Sequence, residues 1–280
     1  MSASFFNVIV HLEEGNSDLN GLCAGFELKA WRKDQLVDHL MDYIPEFALP
    51  YSEIQSIDAK DMRRMLKNAA SAIYKSPKYQ NRGEFGELML HVVIRELFNT
   101  VPAISKIYYK DGPNDTVKGF DAVHVVVKDA ELELWLGEVK FYTDIHNAIN
   151  DVVVEIFEHT QKDYLRSEFI AITNKIDAGW PHTEKLKTLL DPNTSLDTVF
   201  DRACIPVLLT YDSSVIAKYD AYTIEYKKEI TDEFNKLYKL FVNKISDKVP
   251  LTIHLFLLPL KTKAELVSCF DDKLKQLQKI

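Results

Sequence analysis

One stretch constrains this chain more than any other: "GFDAVHVVVKDAELELWLGEVKF", residues 119–141. Two alternating apolar runs flank the polar step at Asp129-Ala130, the pattern of a β-hairpin. With the turn there, Lys128 faces Glu131, Val127 faces Leu132, Val125 faces Leu134 and Val123 faces Leu136. By the same register Asp121 faces Glu138. Facing residues point to the same side of a sheet. One face is therefore Val and Leu along its length and ends in two carboxylates, with Lys140 two residues further on the same face. The other face carries Ala122/Gly137, His124/Trp135 and Val126/Glu133. A slip of one residue would exchange the two faces.

Like charges that face each other destabilise a sheet, and an apolar face adds the cost of desolvation. A divalent cation offsets both. Hard Mg²⁺ prefers carboxylate oxygen and keeps waters that can attack a phosphate. Lys140 is placed to orient or deprotonate such a water, or to stabilise charge in the transition state. The plain alternative is a strand that ends at the surface with its charges solvated. The preceding helix, "RGEFGELMLHVVIRELF", carries Glu84 and Glu87 in its first turns. Acidic residues there also complement the helix dipole. If this helix packs on the Val/Leu face, either glutamate is placed to complete a metal shell.

The rest of the chain reads as α/β, a mixed sheet flanked by helices. Expected strands are "NVIVHL", "GFELKAW", "ISKIYY", "EFIAITN", "IPVLLTYD" and "LTIHLFLL". Expected helices are "KDQLVDHLMDYI", "DAKDMRRMLKNAASAIYKS" with Asp58 as its cap, one long helix "HNAINDVVVEIFEHTQKDYLR", "PHTEKLKTLL", "LDTVFDRA", "TIEYKKEITDEFNKLYKLFVNKI" and "KAELVSCFDDKLKQLQ". Pro45 and Pro50 suggest a joint. We divide the chain into an N-terminal docking or regulatory region, 1–55, and a main domain, 56–280.

Composition narrows the class. Hydrophobic residues make up 46% and charged residues 27% of the 280 positions, as in a soluble globular protein. No apolar run is long enough to span a bilayer. The start lacks a basic n-region, and three scattered cysteines suit a cytoplasmic protein. His91, His124, His146 and His159 have no ligand spacing and read as packing residues. No G-x-x-x-x-G-K-[ST] occurs, so any ATP use must come from a partner. The net charge of −8 is unusual for a protein that grips DNA unaided. One stretch runs the other way. Lys60, Arg63, Arg64, Lys67, Lys75, Lys78 and Arg82, with Tyr74 and Tyr79 interleaved, face a single acid, Asp61. It reads either as a DNA-binding approach to the carboxylates or as an ordinary solvated helix and loop.

The layout resembles the PD-(D/E)xK nuclease superfamily: Glu87 or Glu84 in "GEFGE", Asp121 in "GFDAV", and Glu138 and Lys140 in "GEVKF". Phe120 stands where relatives often carry Pro. The resemblance implies a restriction-endonuclease-like core with a small N-terminal α/β region. It also implies Mg²⁺-dependent cleavage of DNA, with Mn²⁺ as a substitute. Asp121, Glu138 and the Val139 carbonyl would hold the metal, joined by Glu87 or Glu84, and Lys140 would act on the attacking water. "QKDY" (Gln161, Lys162, Tyr164) is similar to a glutamine-tyrosine element of some relatives, one residue short. Through "RGEFGELMLHVVIREL", "KGFDAVHVVV" and "LWLGEVKFY", most of the chain resembles the HamA family, nuclease subunits of Hachiman anti-phage defence. That likeness implies an endonuclease effector restrained by a superfamily 2 helicase, HamB, until aberrant DNA is sensed. An inactive nuclease-fold adaptor that regulates a helicase is the competing reading.

Overall fold

The structure, a computed structural model, describes residues 4–73, 83–105, 107, 119–129, 131–245 and 249–280. Its strands are β1 (Asn7–Glu14), β2 (Ser17–Cys23), β3 (Phe26–Glu27), β4 (Ala30–Trp31), β5 (Val101–Ser105), β6 (Ala122–Lys128), β7 (Glu131–Phe141), β8 (Ala203–Asp212) and β9 (Thr252–Leu260). Its helices are α1 (Lys33–Asp42), α2 (Ile44–Ala48), α3 (Tyr51–Gln55), α4 (Met62–Ile73), α5 (Glu84–Phe98), α6 (Ile145–His159), α7 (Lys162–Lys175), α8 (Thr183–Leu189), α9 (Leu196–Phe200), α10 (Ser214–Lys218), α11 (Ile224–Val242) and α12 (Lys263–Lys279). Among the described residues, seven strands form one mixed sheet in the order β1-β2-β9-β8-β7-β6-β5. The β2-β9, β9-β8 and β8-β7 pairs are parallel and the others antiparallel. This is the expected α/β nuclease-like architecture.

The hairpin adopts the register that its apolar pattern requires, from Ala122 opposite Gly137 to Lys128 opposite Glu131. Asp129 takes φ 48°, the left-handed value that the first position of a tight hairpin turn demands. Val123, Val125, Leu134 and Leu136 are buried.

The long helix α5 does not pack where the sequence suggests. It lies on the opposite face, with Leu90 against Gly137, Gly86 against Val139 and Phe141, and His91 bonded to His124 at 3.1 Å. The absence of side chains at Gly86 and Gly137 permits this approach, since a Cβ on Gly86 would lie 2.8 Å from Phe141 Cβ. The Val/Leu face is covered by α6 instead, which buries Ala148, Ile149, Val152, Val153 and Ile156. Asp144 starts α6 by accepting the Asn147 N–H at 2.8 Å.

Other expectations are corrected. The single long helix is two, α6 and α7, which meet at Thr160 and Gln161. There Thr160 Oγ1 donates to the Ile156 carbonyl at 2.7 Å and Gln161 is extended. "EFIAITN" is not a strand but part of α7, whose buried residues Leu165, Phe169 and Ile172 recur at helical spacing. "GFELKAW" is not one strand but the short β3-β4 hairpin, with Leu28 and Lys29 at φ 48° and 59°. Asp58 precedes a 3₁₀ turn and makes no side-chain cap. Strand β2, with Ser17, Asp18, Asn20 and Gly21, looks too polar for a sheet interior. It lies between β1 and β9, and Gly21 receives the Phe234 ring of α11, which a Cβ would meet at 2.5 Å.

The N-terminal region proposed for residues 1–55 shares its sheet with the rest. Ser17 to Gly21 pair in parallel with Ile253 to Leu257. Among the described residues, Phe6, Leu19 and Leu36 join the same apolar core as Leu257 and Phe270.

Gly86→Val should destabilise the protein by about 2 kcal/mol, because the added atoms meet a Cβ anchored to a central strand, and the gain in helix propensity over Gly is smaller. Urea unfolding of variant and wild type checks this.

Candidate active site

Strand β7 outruns its hairpin partner. Its last residues pair with β8 alone, Glu138 beside Val207 and Lys140 beside Leu209, while β6 begins only at Ala122. Asp121 fills the gap. Its N–H donates to the Gly137 carbonyl at 2.8 Å, and its Oδ2 accepts the Val139 N–H at 2.8 Å. A carboxylate thus takes the place of a strand neighbour. The Val139 carbonyl points to the same edge as its N–H. Asp121, Glu138 and Lys140 are 7%, 1% and 8% exposed, so the alternative of a solvated strand end does not hold.

Helix α6 answers these charges from the covered face. Glu155 accepts from Lys140 Nζ, and His159 Nδ1 meets Glu138 Oε1 at 2.5 Å. The His159 ring stacks on Tyr164 at 4.2 Å between centroids and abuts Phe120 edge-on at 5.3 Å. Burial pushes the Glu138 carboxyl above the usual carboxylate range. The His159 bond opposes that, and the Asp121 and Glu155 charges reinforce it. Burial would pull His159 down, but its bond to Glu138 and the surrounding carboxylates raise it on balance.

These residues line an open cleft of about 850 Å³ at the end of β7. Lys263 stands at its wall, donating to the Phe141 carbonyl at 2.5 Å and lying 4.4 Å over the Phe141 ring. Carboxylates outnumber lysines seven to two around the cleft.

The structure therefore gathers Asp121, Glu138, Val139 and Lys140. Glu87 lies on the cleft wall, reaching it from the α5 side, whereas Glu84 is buried and does not line it. Among the described residues, no three His, Cys, Asp or Glu side chains are grouped closely enough to hold a metal. Gln161 is exposed and bonds the Phe157 carbonyl, and Lys162 is exposed; neither lines the cleft, but Tyr164 does. Lys60, Arg63, Arg64 and Lys67 are located on and beside α4, away from the cleft lining. Arg64 pairs with Asp61 at 3.0 Å, and Lys67 donates to the Ile280 carbonyl. Lys75, Lys78, Arg82, Tyr74 and Tyr79 lie outside the described residues. Sequence reasoning missed Glu155, His159 and Lys263. Only the four-residue spacing of Glu155 and His159 hinted that they share a helix face.

Two buried carboxylates on adjacent strands, with a carbonyl at the same edge, form an all-oxygen donor set of the kind that hard divalent cations prefer. Burial first, and then the neighbouring Asp121 charge, hold the Glu138 carboxyl above its usual range. A model of the HamA family matches residues 3–274. The chain belongs to the HamA family. Membership implies a Hachiman defence-related protein. No curated protein matches the chain. Among the described residues, no helix of this HamA-family chain is long and apolar enough to cross a membrane.

A carboxyl held above its unfolded value costs nothing below that value, about pH 4.3, where both states carry the proton. Stability is then lost as pH rises through the native value, because the native state must ionise a buried group. In chelator, Glu138→Gln should therefore stabilise the protein by about 1–3 kcal/mol near pH 8 and by less near pH 5.5. Urea unfolding at the two pH values measures the difference.

Proposed function

We propose that this protein is a metal-dependent DNA endonuclease of anti-phage defence whose activity is governed by a partner helicase, HamB. The observation that carries this reading is the buried Asp121–Glu138 pair at the edge where Asp121 replaces a strand partner, with Lys140 on the same face. Asp121, Glu138 and the Val139 carbonyl would hold Mg²⁺, or Mn²⁺ in its place. When bound, the ion supplies charge neutralisation at the scissile phosphate and a water of lowered pKa. Lys140 projects beside the carboxylates, where its ammonium orients the attacking water and stabilises charge developing on the phosphate oxygens. Lys263 offers a second cation at the cleft wall to a neighbouring phosphate.

The charge distribution supports control by a partner. A polyanion approaching a cleft with seven carboxylates and two lysines is repelled unless cations or another protein offset the field. The basic residues of α4 offer phosphate contacts away from the chemistry. The inactive-adaptor reading draws on two observations: Lys140 and Glu138 are already paired to α6, and no three-residue metal cluster is assembled among the described residues.

Glu138→Ala and Lys140→Ala should each abolish Mg²⁺-dependent cleavage of plasmid DNA, with HamB present, and abolish protection in cells. The proteins should stay folded, because both side chains line the open cleft and neither belongs to the apolar core. A folded double variant that still cuts DNA excludes this assignment. Replacing Arg63, Arg64 and Lys67 with Ala should weaken DNA affinity and reduce the slope of log affinity against log salt by about one unit for each phosphate that is no longer neutralised. An unchanged slope in fluorescence-anisotropy titrations means that DNA reaches the cleft by another surface.

A further inference from the structure

The two ion pairs across the cleft floor are matched in spacing. Glu138 and Lys140 are two residues apart on β7, a rise of about 6.7 Å. Glu155 and His159 are four residues apart on α6, a rise of about 6.0 Å. The pairs cross in antiparallel sense: the earlier strand residue, Glu138, meets the later helix residue, His159, and Lys140 meets Glu155. Near-equal rises let both contacts form at once on one rigid strand and one rigid helix. The aromatic surroundings fix the helix end, with His159 held between Tyr164 and Phe120.

This matching decides which charges meet. Lys140 and Glu138 share a face and are close enough to pair with each other. A Glu138–Lys140 salt bridge would occupy a metal ligand with the ammonium meant for water. Glu155 engages Lys140 Nζ and His159 engages Glu138 Oε1, so each strand side chain has its own partner on α6. We infer that Glu155 and His159 are positioning residues of this site, Glu155 aiming the Lys140 ammonium and His159 aiming the Glu138 carboxylate at the cation. The inference rests on the nuclease reading above and adds two residues to it. Side chains that orient a metal's ligands tune its affinity about 10–100-fold when removed.

Two measurements on the full-length chain, Mn²⁺ binding by calorimetry without DNA and steady-state DNA cleavage with the helicase partner present, test the two roles separately. His159→Phe keeps the ring between Tyr164 and Phe120 but loses Nδ1. It should weaken Mn²⁺ binding about tenfold or more, and excess metal should restore much of the cleavage rate. His159→Asn, which returns an N–H near the Nδ1 position, should recover part of the affinity. Glu155→Ala should lower kcat at saturating DNA and metal by about tenfold or more and leave Mn²⁺ affinity and KM for DNA nearly unchanged. Glu155→Gln, which keeps an acceptor for Lys140, should recover part of kcat. Folded variants with wild-type affinity and kcat overturn the inference. So does equal loss in Phe and Asn, or in Ala and Gln, accompanied by lowered thermal stability, since that is the signature of packing alone. Failure of the nuclease reading looks different: the wild type itself neither binds Mn²⁺ nor cuts DNA, and the inference falls with it.

Discussion

Two negative charges buried side by side at the end of an apolar strand are the constraint around which the local structure is organised. Neither Asp121 nor Glu138 escapes to solvent. Each is instead met by a specific donor: the Val139 N–H for Asp121, and the His159 ring for Glu138. Burying an ionised carboxylate without such donors is prohibitive, and even with them Glu138 holds its proton more tightly than a solvated acid. The fold tolerates this local cost because the strands behind the pair are packed on both faces. Helix α5 presses close through Gly86 and Gly137, and α6 covers the Val/Leu side.

The parts of this arrangement that depend on local pattern are legible in the sequence. Alternation from Val123 to Val127 and from Leu132 to Leu136 determines the hairpin register, and with it the shared face of Asp121, Glu138 and Lys140. What local pattern does not show is which helix lies on which face. Helix α5 is apolar nearly all round, so its sequence has no preferred side, and two glycines direct it to the surface opposite the one expected. Glu155 and His159 give no signal of their own because their partners are on another element, and the match depends on the antiparallel run of α6 across β7. The misreading of "EFIAITN" has a simpler origin. A short run rich in β-branched residues reads equally as strand or helix, and only the recurrence of Leu165, Phe169 and Ile172 separates the two.

The electrostatics follow one logic. The chain is acidic overall, its cleft is acidic, and its described basic residues on α4 stand apart from the cleft. The basic residues of α4 and the carboxylates of the cleft therefore do not share a lining. A cleft lined by seven carboxylates and two lysines carries a negative field that disfavours the approach of another anion.

The parallel pairing of β2 with β9 has a consequence for how the molecule is made. Strand β9 sits between β2 and β8, and β8 is the neighbour on which Glu138 and Lys140 are laid. Yet β9 comes more than 200 residues after β2 in the chain. Until it has been synthesised, β2 and β8 each present an open edge, and the sheet is two fragments. Contacts of such long sequence separation form late and slowly, so the nascent chain on the ribosome lacks the strand that joins β1-β2 to β8-β7-β6-β5. The cleft residues of β7 are translated midway but gain their full support only near the end of synthesis.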